Sequence, residues 1–276
     1  MFSGPRAFTA GVRERLSGGK EPPEWLSDSI EDKGPALPSS VLFLLGPSCR
    51  TEESDFSPCL ILNKRSRLVR QPGDLCCPGG SISPRADFYL ARLLGLPGSP
   101  LARWKYWKSW RKQRPDSAGR LRLLLATSLR ESIEEMRLNP LAATFLGPLP
   151  PQRLIMFRRV IYPMVGWISS QRRFFPNWEV EKIVRIPIEA LLTPERYGRY
   201  RVGYGQASGR VIRDYPCFTH HDGEEMELLW GATFRITMTF LERVFGFTPP
   251  APEGLPVVSG KLDRAYFAVQ ERDPSS

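Results

Sequence analysis

The apolar positions of this chain fall into two kinds of pattern. Short runs closed by turn residues read as buried strands: VLFLLG at Val41–Gly46 and CLILNKRS at Cys59–Ser66. QPGDLCCPGG at Gln71–Gly80 reads as a turn, a short strand and a second turn. Four more strand-like runs follow: ATFLGPL (Ala143–Leu149), RVIYPMVGWI (Arg159–Ile168), EVEKIVRIPI (Glu179–Ile188) and RYRVGY (Arg199–Tyr204). Helical spacing appears near Thr9–Leu16, in SLRESIEEMRL (Ser128–Leu138) and in LWGATFRITMTFLERVFG (Leu229–Gly246), the last closed by Gly246 and a Pro pair. Strands interleaved with a few helices predict an α/β or α+β domain around a mixed sheet. There is no internal repeat.

The flanks lack this patterning. Residues 1–38 are rich in Gly, Pro and Ser and read as a flexible N-terminal segment, residues 39–247 as the domain, and residues 248–276 as a loose Pro-rich tail. A chain of 276 residues, 41% hydrophobic, can bury one sizeable core. No apolar run approaches 18 residues, so no spanning helix and no membrane partner are expected. Of the five cysteines (Cys49, Cys59, Cys76, Cys77, Cys217) two are adjacent and none forms a CxxC pair. That is neither a disulfide framework nor a zinc pattern, and it fits a reducing, cytoplasmic setting. The Arg-rich start leaves an organelle matrix as the weaker alternative. The only histidines are His220 and His221, which argues against histidine-rich metal sites and a Ser-His-Asp triad.

Charge is unevenly spread. The net charge is +10, yet residues 84–122 hold ten Arg/Lys against Asp87 and Asp116. In this stretch Leu101, Trp104, Trp107 and Trp110 recur every third residue, with Lys105, Lys108 and Lys112 on another side of the implied helix. Three readings stand: a packed flap or homodimer contact, a basic lid over a phosphate-rich ligand, or a nucleic-acid contact, the least favoured.

The helix at Ser128–Leu138 carries Glu131, Glu134 and Glu135 at i, i+3 and i+4. With Leu129 as reference, Leu125, Ile133 and Met136 fall within about 40° of it, and the three glutamates on the opposite side. Like charges so spaced repel, so either solvent screens them or a hard cation such as Mg²⁺ belongs there. An ordinary polar helix face is the plainer alternative.

Gly79–Gly80 followed by Arg130, Glu131, Glu134, Glu135 and the closing apolar Leu138 resembles the box of the Nudix hydrolase family. Ala86 stands where an acid is expected, with Asp87 one place late; Ser132 and Arg137 replace an apolar residue and a glycine; and some three dozen extra residues precede Arg130. LILNKRSRLVRQPGDLCCPGG, the YPMVGW…PNWEV…RIPI run and LLWGATFRITMTFL resemble flanking segments of the coenzyme A pyrophosphatase branch, with Arg65, Ser66, Gly73, Gly79 and Gly80 matching. The resemblance implies an α/β/α sandwich and hydrolysis of a pyrophosphate bond in a nucleoside-diphosphate-linked small molecule, coenzyme A or acyl-CoA favoured. It implies Mg²⁺ or Mn²⁺ held first by Glu131 and Glu135 beside Gly80, with Glu134 sharing the metal site or placing the water, Arg130 orienting a glutamate, and Arg65 and Ser66 meeting substrate phosphate. Glu179 or Glu181 is a further acid to locate. A non-catalytic nucleotide- or RNA-binding module of the same fold is the competing expectation.

Overall fold

The computed structural model describes residues 3–17, 23–26, 37–48, 56–154, 159–204, 211–261 and 266. Cys49 lies outside them. In chain order the elements are α1 (Pro5–Ser17), β1 (Leu37–Pro47), β2 (Pro58–Arg65), β3 (Leu75–Cys76), β4 (Gly79–Ser81), α2 (Ala86–Leu93), α3 (Trp107–Gln113) and α4 (Pro115–Met136). They continue with β5 (Ala143–Pro148), β6 (Gln152–Leu154), β7 (Arg159–Ile168), β8 (Val180–Pro187), α5 (Ile188–Leu191), β9 (Tyr197–Tyr204), β10 (Val211–Asp222), β11 (Glu225–Trp230), α6 (Gly231–Phe245) and β12 (Val257–Lys261).

The main sheet runs β3-β2-β1-β7-β5, with β4 on β1, β6 on β7 and β8 on β2. It is mixed: β1 and β7 are parallel, with Leu42 opposite Met164, and β1 and β2 antiparallel, with Leu44 opposite Ile61. Successive strand residues face opposite sides, so the apolar runs feed two cores. Phe43, Leu45, Leu60 and Leu62 pack with residues of α1 and α6. Leu42, Leu44 and Ile61 pack with residues of α2 and α4 and the tryptophan segment. The layers are therefore helix, sheet, helix, as expected. A second, four-stranded sheet has the order β11-β10-β9-β12.

The flanks and the insertion add to this frame. The N-terminal segment contains a packed helix, α1, whose Phe8, Val12 and Leu16 are buried against the sheet, Phe8 stacking 5.4 Å from Trp167. Three apolar residues at i, i+4 and i+8 are enough to anchor it. The tail contains β12, which completes the edge of β9 in parallel register (Val258 opposite Tyr200). In the insertion, the helix over the tryptophans is shorter than their spacing suggests, yet Leu101, Trp104, Trp107 and Trp110 are all buried. Trp104 meets Trp110 edge-on at 4.8 Å and donates its ring N–H to the carbonyl of Leu146 (3.2 Å). Lys105, Lys108 and Lys112 remain exposed.

Candidate active site

Pro115 at its first turn starts α4, and the helix runs without interruption into the acidic segment. Its buried arc is rotated from the expected one. Ser132 is fully buried and Ile133 is exposed, because Leu121, Leu125, Leu129 and Met136 centre the arc about 35° to the Leu121 side of Leu129. The rotation separates the glutamates. Glu135 comes to the arc's edge and is 8% exposed, whereas the Glu134 side chain points away and is 53% exposed, with Glu131 between them.

Glu131 and Glu135 lie on the Gly79–Gly80 side. A Cβ at Gly80 would collide with the Glu131 carboxylate, so any other residue there would displace that side chain from β4. Gly79 donates its backbone N–H to Glu135, and Asn63 of β2 donates its side-chain amide to Glu135 Oε2 (2.7 Å). These two bonds do not offset the charge: burial, with Glu131 nearby, pushes the Glu135 carboxyl up to about 8. Burial also raises Glu131, against the opposing pull of Arg130. Asn63 Oδ1, buried beside Glu135, has no hydrogen-bond partner among the described residues.

Arg130 joins the remaining acids. It pairs with Asp87 (2.6 Å), Glu131 (2.8 Å) and Glu134 (3.0 Å), and donates to the carbonyl of Ser81 (3.1 Å). Burial disfavours its charge, but the three carboxylates outweigh that and raise its pKa. Asp87 is fully buried and also accepts from Thr127 Oγ1 (2.8 Å) and the Ser83 amide (2.6 Å). The expectation that three glutamates converge on one cation is not met. Glu134 is turned to Arg130, and among the described residues no three His, Cys, Asp or Glu side chains are grouped to hold a metal ion.

Arg65 donates to the carbonyl of Arg70 (2.7 Å) and lowers the charge penalty on Glu135. The Ser66 amide donates to the carbonyl of Glu179 (2.8 Å), and the Glu179 side chain adds to the negative field on Glu135. Glu181 does not share this position: it pairs with Lys64 (3.2 Å). A cavity of about 40 Å³ lined by Phe8, Phe56, Ile188 and Phe245 belongs to the α1/α6 side of the sheet and plays no part here.

No protein-family model matches the chain. A curated relative, described as the uncharacterized Nudix hydrolase NudL of Pectobacterium atrosepticum, is 30% identical over 116 residues. The alignment spans 42% of this chain and 56% of that protein, so the chain matches about half of the relative's length. The likeness is to the Nudix hydrolases. Among solved structures, a MutT/nudix family protein from Enterococcus faecalis matches at TM-score 0.39 and 11% identity, covering 81% of this chain and 67% of that one. A NUDIX hydrolase from Alicyclobacillus acidocaldarius matches at TM-score 0.37 and 14% identity, covering 58% and 82%.

The departures from the Nudix box have physical counterparts. Ala86 opens α2, which turns Asp87, not residue 86, inward to Arg130. Arg137 caps α4 in the left-handed region (φ 53°), the conformation a glycine adopts most cheaply. Ser132 satisfies its buried hydroxyl by donating to the Ser128 carbonyl (2.6 Å). Asp87 as partner of Arg130 and Asn63 as partner of Glu135 were missed by sequence reasoning. The one-place offset of Asp87 was the available signal for the first; nothing local marked the second.

Proposed function

We propose that this chain is a divalent-metal-dependent hydrolase that splits the pyrophosphate bond of a nucleoside-diphosphate-linked substrate, with coenzyme A or an acyl derivative favoured. The observation that carries the reading is the Glu131–Glu135 pair against Gly79–Gly80, with Glu135 buried beside an amide and a backbone N–H but no basic side chain bonded to it. Such a carboxylate is costly unless a cation joins it. Two oxygen ligands, with substrate phosphate and water completing the shell, suit Mg²⁺ or Mn²⁺. Glu131 and Glu135 would hold the ion, which when bound neutralises the linked phosphates and acidifies water.

The chain's own residues supply the rest. Arg130, fixed by Asp87, orients Glu131 and Glu134. Glu134 is exposed enough to reach solvent and accepts the proton of the attacking water. Water oxygen bonds to one phosphorus, the bridging P–O bond breaks, and two phosphate monoesters leave. Arg65 and the Ser66 turn, joined to Glu179, meet the phosphate chain. The preference for coenzyme A rests on the flanking segments that resemble that branch. No observation favours nucleic acid, because the insertion's tryptophans are buried within the chain.

The test is turnover of coenzyme A, an acyl-CoA, ADP-ribose, NADH and diadenosine polyphosphates with Mg²⁺ or Mn²⁺. Cleavage of at least one, lost in Glu135→Gln, is expected. Inertness toward all of them overturns the reading.

A further inference from the structure

Near its end β2 is paired on both edges: Asn63 stands opposite Cys76 of β3 on one and Ile183 of β8 on the other. Successive side chains of the strand face opposite sides. Leu60 and Leu62 enter the core shared with α1 and α6, and Ile61 the core shared with α4. Asn63 lies on the face of Ile61 and is fully buried there. A strand held on both edges therefore brings one amide among apolar neighbours and against a carboxylate of α4, where Asn63 Nδ2 donates to Glu135 Oε2 at 2.7 Å.

The two ends of this amide fare differently. Its nitrogen has Glu135, but its oxygen, equally enclosed, has no hydrogen-bond partner among the described residues. An amide kept to join elements of the fold would be bonded at both ends, since a buried acceptor without a donor is destabilising. Leucine would fill the same space with no polar atom to satisfy. Here the acceptor goes unserved while the donor sits on the carboxylate. The fold gains little from such a residue; Glu135 gains a fixed position.

The two carboxylates beside Gly79–Gly80 are anchored in parallel ways. Arg130 holds Glu131 Oε1 at 2.8 Å and Asn63 holds Glu135 Oε2, with the Gly79 N–H adding a second bond to Glu135. The difference is charge. A guanidinium at Glu135 would hold it and also repel an incoming cation, whereas a neutral amide holds it and supplies no competing positive charge.

We infer that Asn63 is a positioning residue for the ion site: its amide pins one oxygen of Glu135 and so presents that carboxylate in a single orientation to the divalent cation that Glu131 and Glu135 would hold. This deepens the proposed hydrolase reading and rests on it for the ion itself. Hydrogen bonds to a ligating carboxylate set ion affinity by fixing the ligand before the ion arrives.

The experiment titrates the full chain with Mn²⁺ alone, following free Mn²⁺ by electron paramagnetic resonance, beside a thermal melt of each variant. The site is identified as the binding lost in Glu135→Gln. Asn63→Leu, which keeps the shape and removes the donor, is expected to weaken that binding by about ten-fold to a hundred-fold, the scale for losing a bond that orients a metal ligand. Leu62→Ala, next to it in the strand but facing the α1/α6 core, is expected to lower the melting midpoint and leave Mn²⁺ affinity unchanged. Native affinity in Asn63→Leu overturns the inference. So does a loss in Leu62→Ala as large as that in Asn63→Leu, because affinity then merely follows stability. If Asn63→Leu does not fold, Asn63→Ala is read in its place. The two readings separate: Mn²⁺ binding indifferent to Asn63 sinks only this inference, Asn63-dependent binding with no turnover of any pyrophosphate sinks only the hydrolase, and no Mn²⁺ binding at all sinks both.

Discussion

Two ionic clusters flank the central strands, and they are built on opposite terms. In one, Lys64 and Lys182 grip the buried Glu227 at 3.1 and 2.8 Å, while Glu181, Asp222 and Glu225 complete the ring nearer solvent. The deeply buried acid there has two cations of its own. In the other, Arg130 serves Asp87, Glu131 and Glu134, and the second buried acid, Glu135, receives only an amide and a backbone N–H. The first joins β2 and β8 to the second sheet through β10 and β11. The second leaves the buried Glu135 carboxyl with no basic side chain bonded to it. A buried charge already neutralised is architecture; the one without a bonded counter-charge is where the proposed ion would join.

Substitutions that keep shape but remove charge should pull the two clusters apart. Glu135→Gln is expected to cut turnover by about 100-fold or more while leaving the thermal midpoint unchanged or higher, because a buried carboxyl whose ionisation is already disfavoured is replaced by a neutral amide. Calorimetric melting beside initial rates would reveal a stability loss, which would break the contrast. Glu227→Gln should do the reverse, costing about 3 kcal/mol of stability with turnover kept; urea unfolding measures it.

Asp74 tests an intermediate case. It accepts from Trp230 Nε1 (3.0 Å) and Tyr266 Oη (2.5 Å), yet burial outweighs both bonds and pushes its carboxyl up to about 6. A folded-state value above the unfolded 3.8 means the native state binds the proton more tightly. The stability this contributes is full below about pH 4 and is lost as pH rises through 6, a span worth about 2–3 kcal/mol. Denaturant titrations between pH 4 and 7 should show a shallower fall in Asp74→Asn than in the native protein. The smallest effect is at the helix end. Arg137→Gly relieves a left-handed residue and should stabilise by about 1 kcal/mol, read as a higher denaturation midpoint with unchanged slope.

The central layer was legible because its signal is local. Apolar runs closed by turn residues found β1, β2, β5, β7, β8 and β9, and Arg159–Ile168 was placed at both its ends. β10 and β11 escaped because Pro216 and polar residues break the run, although Asp222–Gly223 marks the turn between them, with Gly223 at φ 69°. Leu229 and Trp230, assigned to the last helix, instead close β11 opposite Phe218 and Cys217. At the candidate site, the spacing of Glu131 and Glu135 placed both carboxylates on one side of a helix. It could not fix how far that helix is rolled against the sheet, and the roll buries Glu135, exposes Ile133 and turns Glu134 outward. Nor could it supply Asn63, which reaches Glu135 from 72 positions away.

Arg130 and Asp87 stand 43 positions apart in the chain, yet they bond at 2.6 Å. Their contact is thus made across space, and the loop between them can lengthen as long as both ends return to the same spot.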